Sequence, residues 1–189
     1  MKKLFFAAAV LAAGVFSAQA QTAINPRIEV GANFARGINK VAGITPDTKV
    51  RTASAAAEIE LASGVYLAPG LTFRQEGFKI GKNESYALNY LSLPVDLGIR
   101  VGLGDNLAVS VEAGPSFAYG LSSSGAVDAF KSGAYKRFDV GLNASAALEY
   151  SKVYLRLGTD IGLVNALKTS NNNVSYKNAS FFAGVGYRF

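Results

Sequence analysis

The sequence has no cysteine and no histidine, and these two absences remove several classes of function. Without cysteine, the chain forms no disulfide, offers no thiolate to a metal and has no lipid-attachment site after an export signal. Without histidine, it has no Ser-His or Cys-His catalytic pair and no imidazole metal ligand. We therefore expect no catalytic residue, no cofactor-binding residue, no metal-binding residue and no cofactor.

Long hydrophobic runs are lacking after the first twenty residues. Those twenty begin with Lys2 and Lys3, continue with an apolar run over residues 4–16 and end in Ala18-Gln19-Ala20, the small-x-small pattern that signal peptidases cut. The run is shorter than the ~20 residues that span a bilayer as a helix, so an anchoring helix is the weaker alternative. The sequence predicts a cleaved signal peptide over residues 1–20 and one domain over residues 21–189.

A strong charge of one sign is also lacking. Removal of the signal peptide takes the 19 basic residues to 17 against 13 acidic residues, which leaves a net charge of +4. This excess is too small to favour nucleic acid as a partner.

Apolar residues instead recur at every second position, which is the pattern of β-strands and not of helices. The first such segment, residues 27–35, alternates Ile28, Val30, Ala32 and Phe34 with polar or small residues. Seven more follow at about residues 53–61, 65–76, 86–102, 107–117, 138–150, 153–163 and 176–189. The fold class is therefore predicted to be all-β.

The predicted connections alternate in length. Those after the odd strands are long, at about residues 36–51, 79–85, 122–136 and 165–175, and those after the even strands are short, at 62–64, 104–106 and 151–152. Long loops at one rim, short turns at the other and an even strand number are typical of transmembrane barrels. The pattern predicts an eight-stranded antiparallel up-and-down transmembrane β-barrel.

The charged residues indicate which face of the strands meets lipid and which face lines the lumen. All nine lysines of the mature chain fall in loops, turns or strand ends, whereas lysine should be common on the outside of a soluble, lipocalin-like barrel. Fifteen other charges share the polar phase of the strands: Arg27, Glu29, Glu58, Glu60, Arg74, Glu76, Asp96, Arg100, Glu112, Arg137, Asp139, Glu149, Arg156, Asp160 and Arg188. A charge in lipid costs about 2–4 kcal/mol near the midplane, so we expect the apolar face to meet lipid and the charges to fill the lumen.

Aromatic residues on the apolar face fall mostly near the predicted strand ends, namely Phe34, Phe73, Phe117, Phe138, Tyr150 and Tyr187, with Phe189 at the terminus. That position is typical of an interfacial girdle in the outer membrane of a Gram-negative bacterium.

Acidic residues are the remaining candidates for chemistry. Glu58 with Glu60, or Asp139 with Glu149, would be the pairs for acid-base catalysis, but acids and arginines sharing one narrow lumen more naturally form ion pairs. An eight-stranded barrel is just wide enough for side chains to fill, so a diffusion pore is not expected.

Four stretches carry a resemblance to a known family: NYLSLPVDLGIR, AGPSFAYGL, RFDVGLNASAALEY and FFAGVGYRF with its aromatic last residue. In this order they resemble the PorT-like outer-membrane β-barrel domain family, which is related in shape to OmpX and OmpA. The resemblance covers nearly all of the mature chain. It implies a fold and an outer-membrane location, and a C-terminal signal for the barrel-assembly machinery, but little about activity.

The function predicted from the sequence is that of a small, non-enzymatic outer-membrane barrel acting in envelope integrity or through its loops. Its expected partners are outer-membrane lipids, the barrel-assembly machinery during biogenesis and a protein bound by the loops. Three alternatives stay open, namely a component of a secretion or assembly machine, which the PorT-like resemblance implies, an outer-membrane enzyme, and a soluble lipocalin-like ligand binder.

Overall fold

The structure is a computed structural model that describes residues 23–35, 38–39, 44–46, 49–80, 84–124, 130–133, 135–168 and 175–189. The predicted signal peptide lies outside these residues. Within them, no helix is long and apolar enough to cross a membrane.

Eight long strands form the barrel. They are β1 (Ile24–Ala35), β2 (Lys49–Ala62), β3 (Val65–Ile80), β4 (Glu84–Gly102), β5 (Leu107–Ser124), β6 (Phe138–Tyr150), β7 (Val153–Gly162) and β8 (Ala179–Arg188). Three short strands, Ile38–Asn39, Ile44–Pro46 and Tyr176–Lys177, lie in the connections. Sequence neighbours pair along the chain, and β1 pairs with β8, so the sheet closes on itself.

Every pair of neighbouring strands is antiparallel. The predicted fold class, an eight-stranded antiparallel up-and-down barrel, is therefore confirmed. The turns between β2 and β3, β4 and β5, and β6 and β7 lie at the same rim as the two ends of the described chain, and the other connections lie at the opposite rim. We call these the turn end and the loop end.

The apolar phase of each strand faces outward, as predicted. Val30 on β1 is 67% exposed and Leu155 on β7 is 51% exposed, whereas their charged neighbours along the strand are buried. The barrel is thus polar inside and apolar outside, which suits lipid.

Aromatic side chains mark both edges of this apolar surface. At the loop end, Phe34 lies opposite Phe181 and Tyr119 lies opposite Phe138 across paired strands. At the turn end, the rings of Tyr187 and Phe189 meet edge to face with centroids 5.1 Å apart. Phe34, Phe138, Tyr187 and Phe189 of the predicted girdle therefore lie at the edges of the apolar surface, where interfacial aromatic residues are expected.

The strand bounds differ from the prediction at the loop end. The predicted long loop over residues 79–85 is wrong, because pairing continues to Ile80 opposite Glu84. With 16, 19 and 18 residues, β3, β4 and β5 exceed the ~9–11 residues that cross a bilayer, so they project beyond it at the loop end. The predicted last strand, 176–189, is also divided, because Tyr176–Lys177 pairs with Ile38–Asn39 while the barrel strand begins at Ala179.

Candidate functional site

The turn-end half of the lumen holds four arginines and four glutamates that we call the inner network: Arg27, Glu29, Glu58, Arg100, Glu112, Glu149, Arg156 and Arg188. These residues come from β1, β2, β4, β5, β6, β7 and β8. Tyr66 on β3 donates its hydroxyl to Glu112 Oε1 at 2.7 Å. All eight strands therefore contribute to one set of contacts.

Glu112 is the centre of the inner network. Arg27 donates to both of its oxygens, at 2.5 and 2.8 Å, and Arg156 donates to both at 2.6 and 3.2 Å. Because the guanidinium is planar and donates in pairs, this geometry fixes both arginine side chains across the lumen.

Two further arginines extend the network toward the turn end. Arg100 donates from Nε to Glu149 at 2.9 Å and from Nη2 to Glu58 at 2.7 Å, and its guanidinium lies 4.6 Å from the centre of the Tyr66 ring. Arg188 lies 3.3 Å from Glu149. The lumen is therefore crossed by charge-assisted bonds at successive heights.

Small residues make room for these side chains. A Cβ at Gly98 would collide with the ring of Tyr66, and a Cβ at Gly186 would collide with the ring of Tyr154. The glycines on the polar phase of β4 and β8 thus admit the aromatic rings into a lumen with little free space.

The loop-end half of the lumen is arranged differently. Its outer cluster has one arginine, Arg74, which lies 2.6 Å from Asp160 and 3.5 Å from Glu76. Asp139 instead accepts from the side-chain amide of Asn178 at 2.7 Å. The guanidinium of Arg74 pairs with two of these three carboxylates, and amide and hydroxyl groups of Asn178 and Ser116 supply further bonds.

A cavity of about 70 Å³ lies between the inner network and the outer cluster. Asp96 and Asn143 line it, and Asp96 Oδ1 and Asn143 Nδ2 are buried without a hydrogen-bond partner among the described residues. At ~30 Å³ per water molecule, a cavity of this volume has room for about two ordered waters.

The loop end of the lumen is closed by what we call the cap, the described residues 130–133, 135–137, 163–168 and 175–178. Its Phe130, Tyr135, Ala166 and Tyr176 form one buried cluster with Leu88, Tyr90 and Ala118 of the barrel wall. The rings of Phe130 and Tyr90 meet edge to face with centroids 5.7 Å apart. The cap therefore packs into the mouth of the barrel.

Backbone hydrogen bonds hold the parts of the cap together. The amide of Lys136 donates to Ala166 O at 2.7 Å, and the amide of Ala166 donates to Tyr176 O at 2.8 Å. Burial raises the pKa of the Tyr135 hydroxyl, and burial together with the nearby Tyr135 raises the pKa of Tyr176. Both hydroxyls stay protonated at neutral pH.

Two of the fifteen charges predicted to fill the lumen lie elsewhere. Glu60 is exposed at the turn end, next to a register irregularity near the end of β2. Arg137 belongs to the cap, where it donates to Gly120 O at 2.8 Å and lies 5.0 Å from the centre of the Phe130 ring. The other thirteen face the lumen, as predicted.

The structure separates both candidate carboxylate pairs. Glu58 is in the inner network while Glu60 is exposed. Asp139 and Glu149 lie near opposite ends of β6, roughly 30 Å apart at ~3.3 Å per residue. In the part of the chain that the structure describes, no three acidic side chains are grouped so that they could hold a metal ion.

Sequence reasoning did not identify the aromatic components of the site. Leu88 and Tyr90 occupy the polar phase of β4 and were not assigned to the lumen, and Phe130, Tyr135 and Tyr176 fall in segments predicted as loop or strand. The signal that could have found them is the presence of large apolar residues in the otherwise polar phase near the loop end.

Comparisons with known proteins agree with this geometry. Residues 19–172 match the family described as outer membrane protein beta-barrel domain. The neisserial surface protein A structure is similar over 90% of this chain and 100% of that chain, with a TM-score of 0.56 and 12% identity. Ail, the attachment invasion locus protein of Yersinia pestis, is similar over 87% of this chain and 98% of that chain, with a TM-score of 0.50 and 15% identity. No curated protein sequence matches.

The two structures support the fold, and the family match covers most of the chain. The match is to the domain family in general, and it does not single out the PorT-like members. With the lipid-facing strands, the girdle and the polar lumen, it identifies the chain as a member of the outer membrane protein beta-barrel domain family, a small barrel that lies in the outer-membrane bilayer.

Proposed function

We propose that this outer-membrane barrel is non-enzymatic, that its lumen stays closed, and that it acts in the envelope through the surface at its loop end. The observation that carries the proposal is the inner network, in which all eight strands hold ion pairs or hydrogen bonds across the lumen.

The lumen is closed because the side chains of the inner network are bonded to one another across it. Glu112, Arg27 and Arg156 come from three different strands and are bonded across the lumen, and removing one partner of a buried ion pair of this kind is strongly destabilising. The cap packs into the other end of the same lumen. Transport through the barrel is therefore disfavoured at two levels.

A non-enzymatic role is supported by how the acidic groups are used. Glu58, Glu112 and Glu149 are each bound by at least two cationic or hydroxyl groups, and both candidate acid-base pairs are separated in space. The loop end is the favoured surface for a partner because its connections are the longer ones, and binding residues are found disproportionately on loops held by a rigid scaffold.

Conductance of the purified protein in planar lipid bilayers tests the proposal. We expect no stable channel from the unaltered barrel, because the inner network crosses the lumen and the cap packs into its loop end. Large, stable conductance from the unaltered protein would contradict the closed lumen.

The narrower predictions concern partners and biogenesis. Cleavage of the signal peptide, recognition by the barrel-assembly machinery and a protein partner at the loops stay predictions. No contact of the described residues favours a place in a secretion machine, so the PorT-like role is not preferred. Purification from native membranes as a lone barrel would argue against such a machine.

A further inference from the structure

The cap carries a one-sided charge. Its described residues include Lys131, Lys136, Arg137, Lys168 and Lys177 and contain no aspartate or glutamate. Lys131 and Lys168 are exposed, and the other three are partly exposed. The lumen below has the opposite balance, because eight carboxylates there face five arginines, so the excess of positive charge lies in the cap and not in the lumen.

The basic residues alternate with the aromatic residues that anchor the cap. Tyr135 and Tyr176 are buried against each other with ring centroids 6.0 Å apart, and Lys136 and Lys177 follow them directly in the chain. In the short strand Tyr176–Lys177 neighbouring side chains point to opposite sides, so Lys177 points away from the buried side of Tyr176. Lys136 is likewise more exposed than the buried Tyr135. The backbone that carries these lysines is held in place by the buried aromatic residues, so less conformational entropy is lost when a ligand binds.

Contacts between the cap and the barrel wall show where the cap lies relative to the aromatic girdle. Arg137 donates to the carbonyl oxygens of Gly120 and Leu121, one and two residues beyond the girdle residue Tyr119.

The polar ladder of Gln75, Asn89 and Ser122 lies at nearly the same level and in the lipid-facing phase. Gln75 donates to Asn89 at 2.9 Å, and Asn89 donates to Ser122 at 3.0 Å. Polar groups on that phase directly beyond an aromatic girdle mark the level of lipid headgroups.

From these observations we propose that the cap binds the phosphate groups of lipids in the outer leaflet. This deepens the proposed function by naming the partner of the loop end, and it rests on that function. Lysine suits this role as a compact, hydrated point charge for phosphate. Lipid phosphates are favoured over a soluble polyanion because the base of the cap lies at headgroup level and not at the tip of a projecting loop.

Native mass spectrometry of the full-length barrel, released from dodecyl maltoside, can measure the binding. The titrants are diphosphoryl lipid A and monophosphoryl lipid A, with inorganic tripolyphosphate as a soluble competitor. Single variants Lys136→Gln, Lys168→Gln and Lys177→Gln are compared with Lys152→Gln, a lysine in the turn between β6 and β7. Heat-modifiable migration on gels verifies that every variant folds.

We expect tighter binding of the diphosphoryl lipid than of the monophosphoryl lipid. Each cap substitution should weaken binding about fivefold and the triple variant roughly 100-fold, because each lysine near an anionic surface contributes about that factor. Lys152→Gln should bind as the unaltered protein does.

Equal affinity of the triple variant and the unaltered protein would overturn the proposal. Full competition by tripolyphosphate at equal phosphate concentration would also overturn it, in favour of a soluble phosphate anion. Conductance measured on the same preparation reports separately on the closed lumen, so failure of lipid binding is distinguishable from failure of the proposed function.

Discussion

The two halves of the lumen use the same residue types in different proportions. At the turn end, the inner network matches four arginines with four glutamates, and the acids there bind at least one guanidinium each. At the loop end, the outer cluster has Arg74 for Glu76, Asp139 and Asp160, and the bonds are completed by Asn178 and Ser116. The turn-end half of the lumen is therefore balanced in charge and held by ion pairs, while the loop-end half of the lumen, beneath the basic cap, is acidic and held by weaker groups.

This difference suggests that the turn-end half of the lumen stabilises the barrel and that the loop end is the part that interacts with partners. A balanced network that joins all eight strands stabilises the closed barrel, because removing any one charged member takes an ion-pair partner from at least one other member. The loop end has fewer strong bonds and depends on the aromatic packing of the cap, so it can change its surface without opening the barrel.

The largest effect is expected when the charge at the centre of the inner network, that of Glu112, is removed, and this tests the comparison between the two halves of the lumen. Glu112→Gln keeps the side-chain shape but removes the carboxylate that Arg27 and Arg156 share, which leaves Arg27 with Glu58 and Arg156 with Glu29. We therefore expect the free energy of unfolding to fall by about 3–5 kcal/mol. Urea unfolding in lipid vesicles, followed by gel mobility, measures it. Asp105→Asn, in the exposed turn between β4 and β5, should change stability by less than ~0.5 kcal/mol.

A loss of under ~1 kcal/mol for Glu112→Gln would mean that the inner network contributes little to stability. The proposed distinction between the two halves would then be wrong.

A smaller effect is expected from adding a methyl group to the packed turn end. In Gly98→Ala the new Cβ meets the ring of Tyr66, which is held between Glu112 and Arg100, so the ring must shift and stability should fall by about 1–3 kcal/mol. Gly102→Ala on the same strand is the matched control, because its Cβ would have no atom within 4 Å. Thermal unfolding of both variants measures the difference, and equal midpoints would show that Tyr66 moves freely.

Much of this arrangement follows from the sequence, and the part that does not has a physical cause. Period-two alternation predicts the strands because residues such as Val30 and Glu29 must occupy media of opposite polarity. The absence of lysine in mid-strand predicts a lumen of arginine and carboxylate. Which arginine binds Glu112 depends on the stagger between strands distant in sequence, and local pattern carries no information about that stagger.

The cap was missed for a related reason. Tyr135 and Leu167 form an isolated bridge between two connections, and neither connection shows an alternation long enough to predict pairing. The aromatic residues of these two connections can be assigned to the lumen only when Tyr90 is known to point into the mouth of the barrel.

The sharpest test of the comparison uses two acids on one strand. Asp139 and Glu149 are both buried on β6, but Glu149 binds Arg100 and Arg188 while Asp139 binds the amide of Asn178. Glu149→Gln should lower the free energy of unfolding by about 2 kcal/mol, since it loses charged hydrogen bonds.

Asp139→Asn, in contrast, should change stability by less than ~1 kcal/mol, because its carbonyl oxygen can still accept from Asn178 and a carboxylate is removed from beside Asp160. Urea unfolding of the two variants under one set of conditions measures the difference directly. Equal losses would mean that the two halves of the lumen bind their acids alike, and that the acidic excess at the loop end is balanced by a group other than Arg74.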